Sequence, residues 1–96
     1  GLTTNKGKIL FDETLNEYWN ARISSGYSDL AEELRKSGFL VESLKSDPIR
    51  YDVISKYDVF VIAAPFTPPR LPTDSEINDI VRYVNEGGGL LLLALG

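Results

Sequence analysis

Between Lys56 and Gly96, two unbroken apolar runs flank a segment of helical periodicity. The first run, DVFVIAA, covers Asp58–Ala64, and the second, LLLLAL, covers Leu90–Leu95. Strands of a parallel sheet are buried on both faces, so they read as continuous apolar runs rather than as an alternation of apolar and polar residues. Between the runs, Ile77, Ile80, Val81 and Val84 recur at the i, i+3, i+4, i+7 spacing of an amphipathic helix. Thr73, with Glu76 three residues on, forms a T-x-x-E capping box just after Pro72, and Gly87-Gly88-Gly89 ends the helix. Strand, helix and strand in this order make a βαβ unit of an open α/β sheet.

The N-terminal half carries shorter signals. Lys8–Asp12 (KILFD) is an apolar run closing on a carboxylate and predicts a first parallel strand, after which the stretch 13–27 has no periodicity. Loops of that size are uncommon in compact domains and often functional. From Asp29 a helix is predicted: Leu30, Ala31 and Leu34 mark its apolar face, Ser28 or Asp29 its N-cap, Asp29 with Glu32 a capping box, and Gly38 its stop. Phe39–Leu44 (FLVESL) predicts the second strand. Asp47-Pro48 then disfavours helix, which leaves Tyr51–Lys56 for a crossover helix of one or two turns. Residues 1–7 read as a flexible leader and 8–96 as one domain; the Gly1-Leu2 start and the absence of Met suggest a processed or excised chain.

Right-handed crossovers in such units give the flavodoxin-like strand order 2-1-3-4, with the first helix on one face and the other two on the opposite face. The third and fourth strands then lack a helix on the side of the first. Either the chain is cut at Gly96 or another subunit covers the fourth strand; association is the favoured reading, with Leu90, Leu91, Leu92, Leu93 and Leu95 expected to form an interface with a second copy of the chain or a partner domain.

Composition narrows the chemistry. The 96 residues are 43% hydrophobic and 25% charged, a globular balance, and no run approaches the roughly 20 apolar residues that cross a bilayer. A net charge of −4 with scattered Lys and Arg argues against nucleic acid. The absence of Cys removes disulfides, thiolate catalysis and zinc–thiolate sites, and the absence of His removes the commonest general base and metal ligand. Only carboxylates, hydroxyls and lysines remain for catalysis, no catalytic constellation can be named, and no cofactor is expected.

The segments KILFDET, NEYW, YSDLAEELRKSGF, YDVFVIAAPF and TDSEINDIVRYVNEGGGLLLL together resemble the N-terminal half of the class I glutamine amidotransferase-like superfamily. Within it they look like the non-catalytic branch that includes the intraflagellar-transport-type domain and related prokaryotic domains of unknown function. The resemblance implies a flavodoxin-like parallel sheet. Active members place a nucleophilic Cys after a later strand, with His and Glu further on; this chain has neither Cys nor His, so amidotransferase activity does not carry over. The resembling domains are also expected to hold a polar residue or His in the loop after the first strand, where Leu15 stands here.

Ligands of open α/β sheets bind beyond the carboxyl ends of the strands where the strand order reverses. That places Asp12, Glu13 and Asn16 after the first strand and Pro65, Phe66 and Thr67 after the third at the candidate site. Asp12 and Glu13 could act as an acid pair or hold a hard cation, but the ordinary behaviour of Asp favours bracing of the loop through backbone N–H groups, and no metal site is expected. A receiver domain needs an Asp at the end of the third strand, where Ala63-Ala64-Pro65 stands. A flavin needs a glycine- and hydroxyl-rich loop after the first strand, where Asp12-Glu13 would repel phosphate. Gly87-Gly88-Gly89 follows a helix and precedes a strand, the reverse of a P-loop. Tyr18, Trp19 and Tyr27 could stack on a sugar or anchor a protein, although packing of Trp19 on the Pro68-Pro69 loop is the favoured reading; Arg70 reads as a solvated charge. The expected function is protein–protein association without catalysis. The alternative is a small-ligand or carbohydrate site built from Asp12, Glu13, Asn16, Tyr18, Trp19, Phe66 and Thr67.

Overall fold

The computed structural model describes residues 6–15, 28–46, 48–63 and 71–93. The elements are β1 (Gly7–Asp12), α1 (Ser28–Lys36), β2 (Phe39–Leu44), α2 (Tyr51–Ile54), β3 (Val59–Ala63), α3 (Asp74–Asn85) and β4 (Gly89–Leu93). All strand pairs are parallel and their order is β2-β1-β3-β4, the flavodoxin-like arrangement. No helix among the described residues is long and apolar enough to cross a membrane.

Alternation along the strands divides the core in two. Leu10, Phe60 and Ile62 point to the side of α2 and α3, where they pack with Leu15, Ile49, Ile54, Ile80 and Tyr83. Ile9, Phe11, Val41 and Val61 point to the other side, against Ala31 of α1. On α1, Ala31 is buried and Leu34 packs beside it, whereas Leu30 is exposed. A nine-residue helix over a two-strand width presents a narrow contact line, and Leu30 falls outside it.

Asp58 joins three strands at their N-terminal ends. Its N–H donates to the Lys8 carbonyl at 2.8 Å, its own carbonyl accepts from Gly89 N–H at 3.0 Å, and its Oδ2 accepts from Lys8 N–H at 2.7 Å. The registers Ile9 to Val59 and Val59 to Gly89 follow directly.

The capping box of α3 forms as its spacing predicts: Thr73 Oγ1 accepts from Glu76 N–H at 3.1 Å, and Glu76 Oε1 accepts from Thr73 N–H at 2.9 Å. Glu76 does more than cap. It is 1% exposed, and its Oε2 accepts from Ile49 N–H at 2.7 Å, which ties the β2–α2 connection to the start of α3. At the other end, Gly87 adopts φ +101°, Gly87 N–H donates to Val84 O and Gly88 N–H to Tyr83 O, the double bond of a Schellman stop.

The buried stripe of α3 is Glu76, Ile80 and Tyr83, whereas Ile77, Val81 and Val84 are exposed. Of the four apolar positions that mark the periodicity, only Ile80 enters the core. The helix is rolled toward α2 by two bonds on its opposite flank, from Tyr51 N–H to Asp79 Oδ2 at 2.9 Å and from the Tyr51 hydroxyl to Glu86.

Tyr83 settles on a surface that only glycine provides. A Cβ at Gly88 would lie 2.3 Å from Tyr83 Cζ, so the ring rests directly on the Gly88 backbone while its hydroxyl donates to Tyr57 O at 2.9 Å. Gly88→Ala is expected to lower stability by about 1–3 kcal/mol, the usual cost of overpacking. Urea unfolding measures it, and an unchanged midpoint would show that the ring has room to move.

Candidate functional site

At the carboxyl end of β1, Asp12 is 4% exposed and its oxygens serve the chain itself. Oδ1 accepts from Thr14 N–H at 3.0 Å and from the Thr14 hydroxyl at 2.6 Å, and Oδ2 accepts from Leu15 N–H at 3.2 Å. This is the bracing arrangement of an Asx turn, which lets Leu15 fold under the sheet into the α2/α3 core. Glu13 is half-buried, and its N–H extends the β1–β2 ladder by donating to Leu44 O at 2.9 Å. Asn16, Tyr18, Trp19, Phe66 and Thr67 lie outside the described residues, as do Tyr27, Pro65, Pro68, Pro69, Arg70 and Leu95. Among the described residues, no group of three or more Asp or Glu is placed to hold a metal ion.

The second region is β4 together with the flank of α3. β4 pairs with β3 alone, so its outer edge carries unpaired backbone groups among the described residues. Register places Leu90 and Leu92 beside Phe60 and Ile62 on the α3 side, and Leu91 and Leu93 beside Val61 and Ala63 on the α1 side. Leu90, Leu91 and Leu92 are exposed, Leu92 at 60%, and only Leu93 packs against the α1 core. On the α1 side the expected lack of cover holds only at Leu91, because Val61 and Leu93 pack into the core beside Ala31, and the α3 side is open as well at Leu90 and Leu92. At 100° per residue, Ile77, Val81 and Val84 project from the flank of α3 opposite to Asp79 and Glu86. Since those two carboxylates mark the α2 side, the stripe faces the β4 side. Ile77, Val81 and Val84 on this flank of α3 and Leu90 and Leu92 on the α3 side of β4 are all exposed, which leaves an open apolar corner between helix and sheet edge as the arrangement that register and helix geometry imply.

A third region has no counterpart in the sequence reading. A cleft of about 250 Å³ opens at the N-terminal ends of β3 and β4, between Tyr51, Tyr57, Asp58, Tyr83, Glu86 and Gly88. The tyrosines come from α2, from the turn before β3 and from α3, so only folding gathers them; the available signal was a tyrosine close to the start or end of each apolar element. All three phenols are held above their ordinary value of 10.0. For Tyr51 the hydrogen bond to Glu86 is the main cause. For Tyr57 it is burial, reinforced by the hydrogen bond to Glu42. For Tyr83 it is burial, reinforced by the charge of Asp58.

A comparison with protein-family models, curated proteins and solved structures returned no match.

Two outcomes are expected. Asp12→Ala leaves the Leu15 amide without its acceptor and should cost about 1–3 kcal/mol, with Asp12→Asn costing less because a carbonyl oxygen remains; equal midpoints for both variants in urea would contradict the bracing role. The tyrosines also set an alkaline limit. In the unfolded chain they ionise near 10.0, but in the folded chain later, so the folded state holds more protons above that pH. Their contribution is complete below pH 10.0 and is lost as pH rises through the folded values. Phenolate absorbance should rise later in the native than in the urea-unfolded protein, and the Tyr83→Phe variant should lose part of that delay.

Proposed function

We propose that this chain is a non-catalytic α/β domain that works by protein–protein association, as a homo-oligomer or against a partner domain seated on β4. The observation that carries this reading is the open corner formed by β4 and the outer flank of α3, with Leu92 at 60% and Val81 at 50% exposure. Exposed apolar side chains beside a strand edge that is unpaired among the described residues give a partner two kinds of purchase. Main-chain hydrogen bonds extend the sheet, and leucine, isoleucine and valine side chains are withdrawn from water at about 25 cal/mol per Å².

The resemblance to the non-catalytic branch of the class I glutamine amidotransferase-like superfamily supports the same reading, because the chain lacks the Cys and His on which the catalytic members depend. The small-ligand or carbohydrate alternative draws less support. Its acidic anchor, Asp12, already accepts three hydrogen bonds from Thr14 and Leu15.

Light scattering across a concentration series tests the proposal, with the chain expected to associate as concentration rises. Leu92→Lys and Leu91→Lys alter side chains that are already exposed, so the fold should persist, while a charge on the edge should weaken association at least tenfold, or about 1.4 kcal/mol. A chain that stays monomeric at every concentration, or variants that associate as the parent does, would remove association through β4.

A further inference from the structure

The sheet has two outer strands, and the amino-acid sequence treats their edges differently. β2 carries Glu42 within its run and Lys45 directly after it, charges of the kind that keep a strand edge from pairing with a copy of itself. β4 has no such guard: from Gly87 to Gly96 there is neither a charged residue nor a proline. In a chain of net charge −4, this neutral stretch lets a second copy approach without opposing like charges. The exposed flank of α3 is nearly as neutral, since Asn78 and Asn85 border Ile77, Val81 and Val84, and Asp74 in the first turn is its carboxylate.

The backbone of β4 fixes how a copy can dock. Gly89 N–H donates to Asp58 O, toward β3. Polar groups alternate sides along a strand, so Leu91 and Leu93 also turn theirs to β3, while Leu90 and Leu92 turn theirs to the outer edge. A copy related by a two-fold axis normal to the sheet at Leu91 runs antiparallel and sets Leu90 opposite Leu92 of the second copy. Each such pair exchanges two hydrogen bonds between outward groups, and both leucines lie on the α3 face. An axis at Leu90 instead would call on Gly88 N–H, which is already committed to Tyr83 O. The same symmetry keeps both α3 helices on one face, with their Ile77, Val81 and Val84 flanks bordering the seam and the two Asp74 carboxylates at its opposite ends.

Leu90, Leu91, Leu92, Ile77, Val81 and Val84 are each between 37% and 60% exposed. Together they supply on the order of 500 Å² per copy, so two copies reach the roughly 1,000 Å² that a specific interface requires, at the weak and reversible end of the range. We propose that two copies of this chain join β4 to β4 in this antiparallel register, forming one continuous sheet with four strands from each copy. The proposal rests on the reading of β4 as an association surface and names a second copy as its occupant.

A chain without Cys allows a direct test by disulfide cross-linking, after light scattering has established the concentration at which the parent associates. Leu91 faces its own counterpart in a non-hydrogen-bonded pair, where Cα atoms about 4.5 Å apart fall within disulfide range. Under mild oxidation Leu91→Cys should form covalent dimers at least tenfold faster than Glu32→Cys, an exposed position on α1 that reports random collision. Leu90→Cys and Leu92→Cys should each react slowly alone and at least fivefold faster when mixed, since they face one another only across two copies. A parent that stays monomeric at every concentration overturns this proposal together with association through β4. If the parent associates but Leu91→Cys reacts no faster than Glu32→Cys, or if Leu90→Cys or Leu92→Cys alone matches Leu91→Cys, the antiparallel seam is overturned and association stands without it.

Discussion

A parallel sheet has to be covered on both faces, and the architecture of this chain turns on how far its helices meet that demand. α1 lies against β1 and β2 on one side, and α2 and α3 lie against β1 and β3 on the other. The central strands are consequently buried on both faces. β4 receives only part of α3, because the helix is drawn toward α2 by Asp79 and Glu86. The shift leaves apolar residues of both α3 and β4 in the open, and the surface proposed for association is the product of that imbalance.

Carboxylates do much of the internal fastening in a chain without Cys or His. Asp12 holds the loop after β1, Asp58 ties the residue before β3 to Lys8 at the start of β1, and Glu76 joins the β2–α2 connection to α3. Each receives backbone N–H donors, groups that are costly to leave unpaired when buried. The same use engages the acidic pair at the carboxyl end of β1. Asp12 is turned inward to its own loop, while Glu13 extends the ladder through its backbone.

The cleft at the other end of the sheet has the opposite character. Tyr51, Tyr57 and Tyr83 each anchor a hydroxyl, on Glu86, Glu42 and Tyr57 O respectively, so the three side chains are fixed around it. Gly88 permits the closest of these placements. Aromatic surface, rim carboxylates and the end of α3 converge there without any local motif.

The strands, the helices, the capping box and stop of α3 and the parallel order were legible in the amino-acid sequence, because each rests on interactions within a few residues or on the apolar runs that two-sided burial requires. The capping box of Thr73 and Glu76, the stop at Gly87 and the runs before Ala63 and after Gly89 are of this kind. The bracing by Asp12 was legible for the same reason, since its partners are two and three residues away. Tertiary structure alone decided which flank of α3 is buried, because a wide apolar arc on a helix is compatible with several rotations and the choice fell to contacts with Tyr51, distant in the chain. It alone also brought Glu76 to Ile49 and gathered three tyrosines around Asp58, for no local signal records which residues a crossover will place side by side.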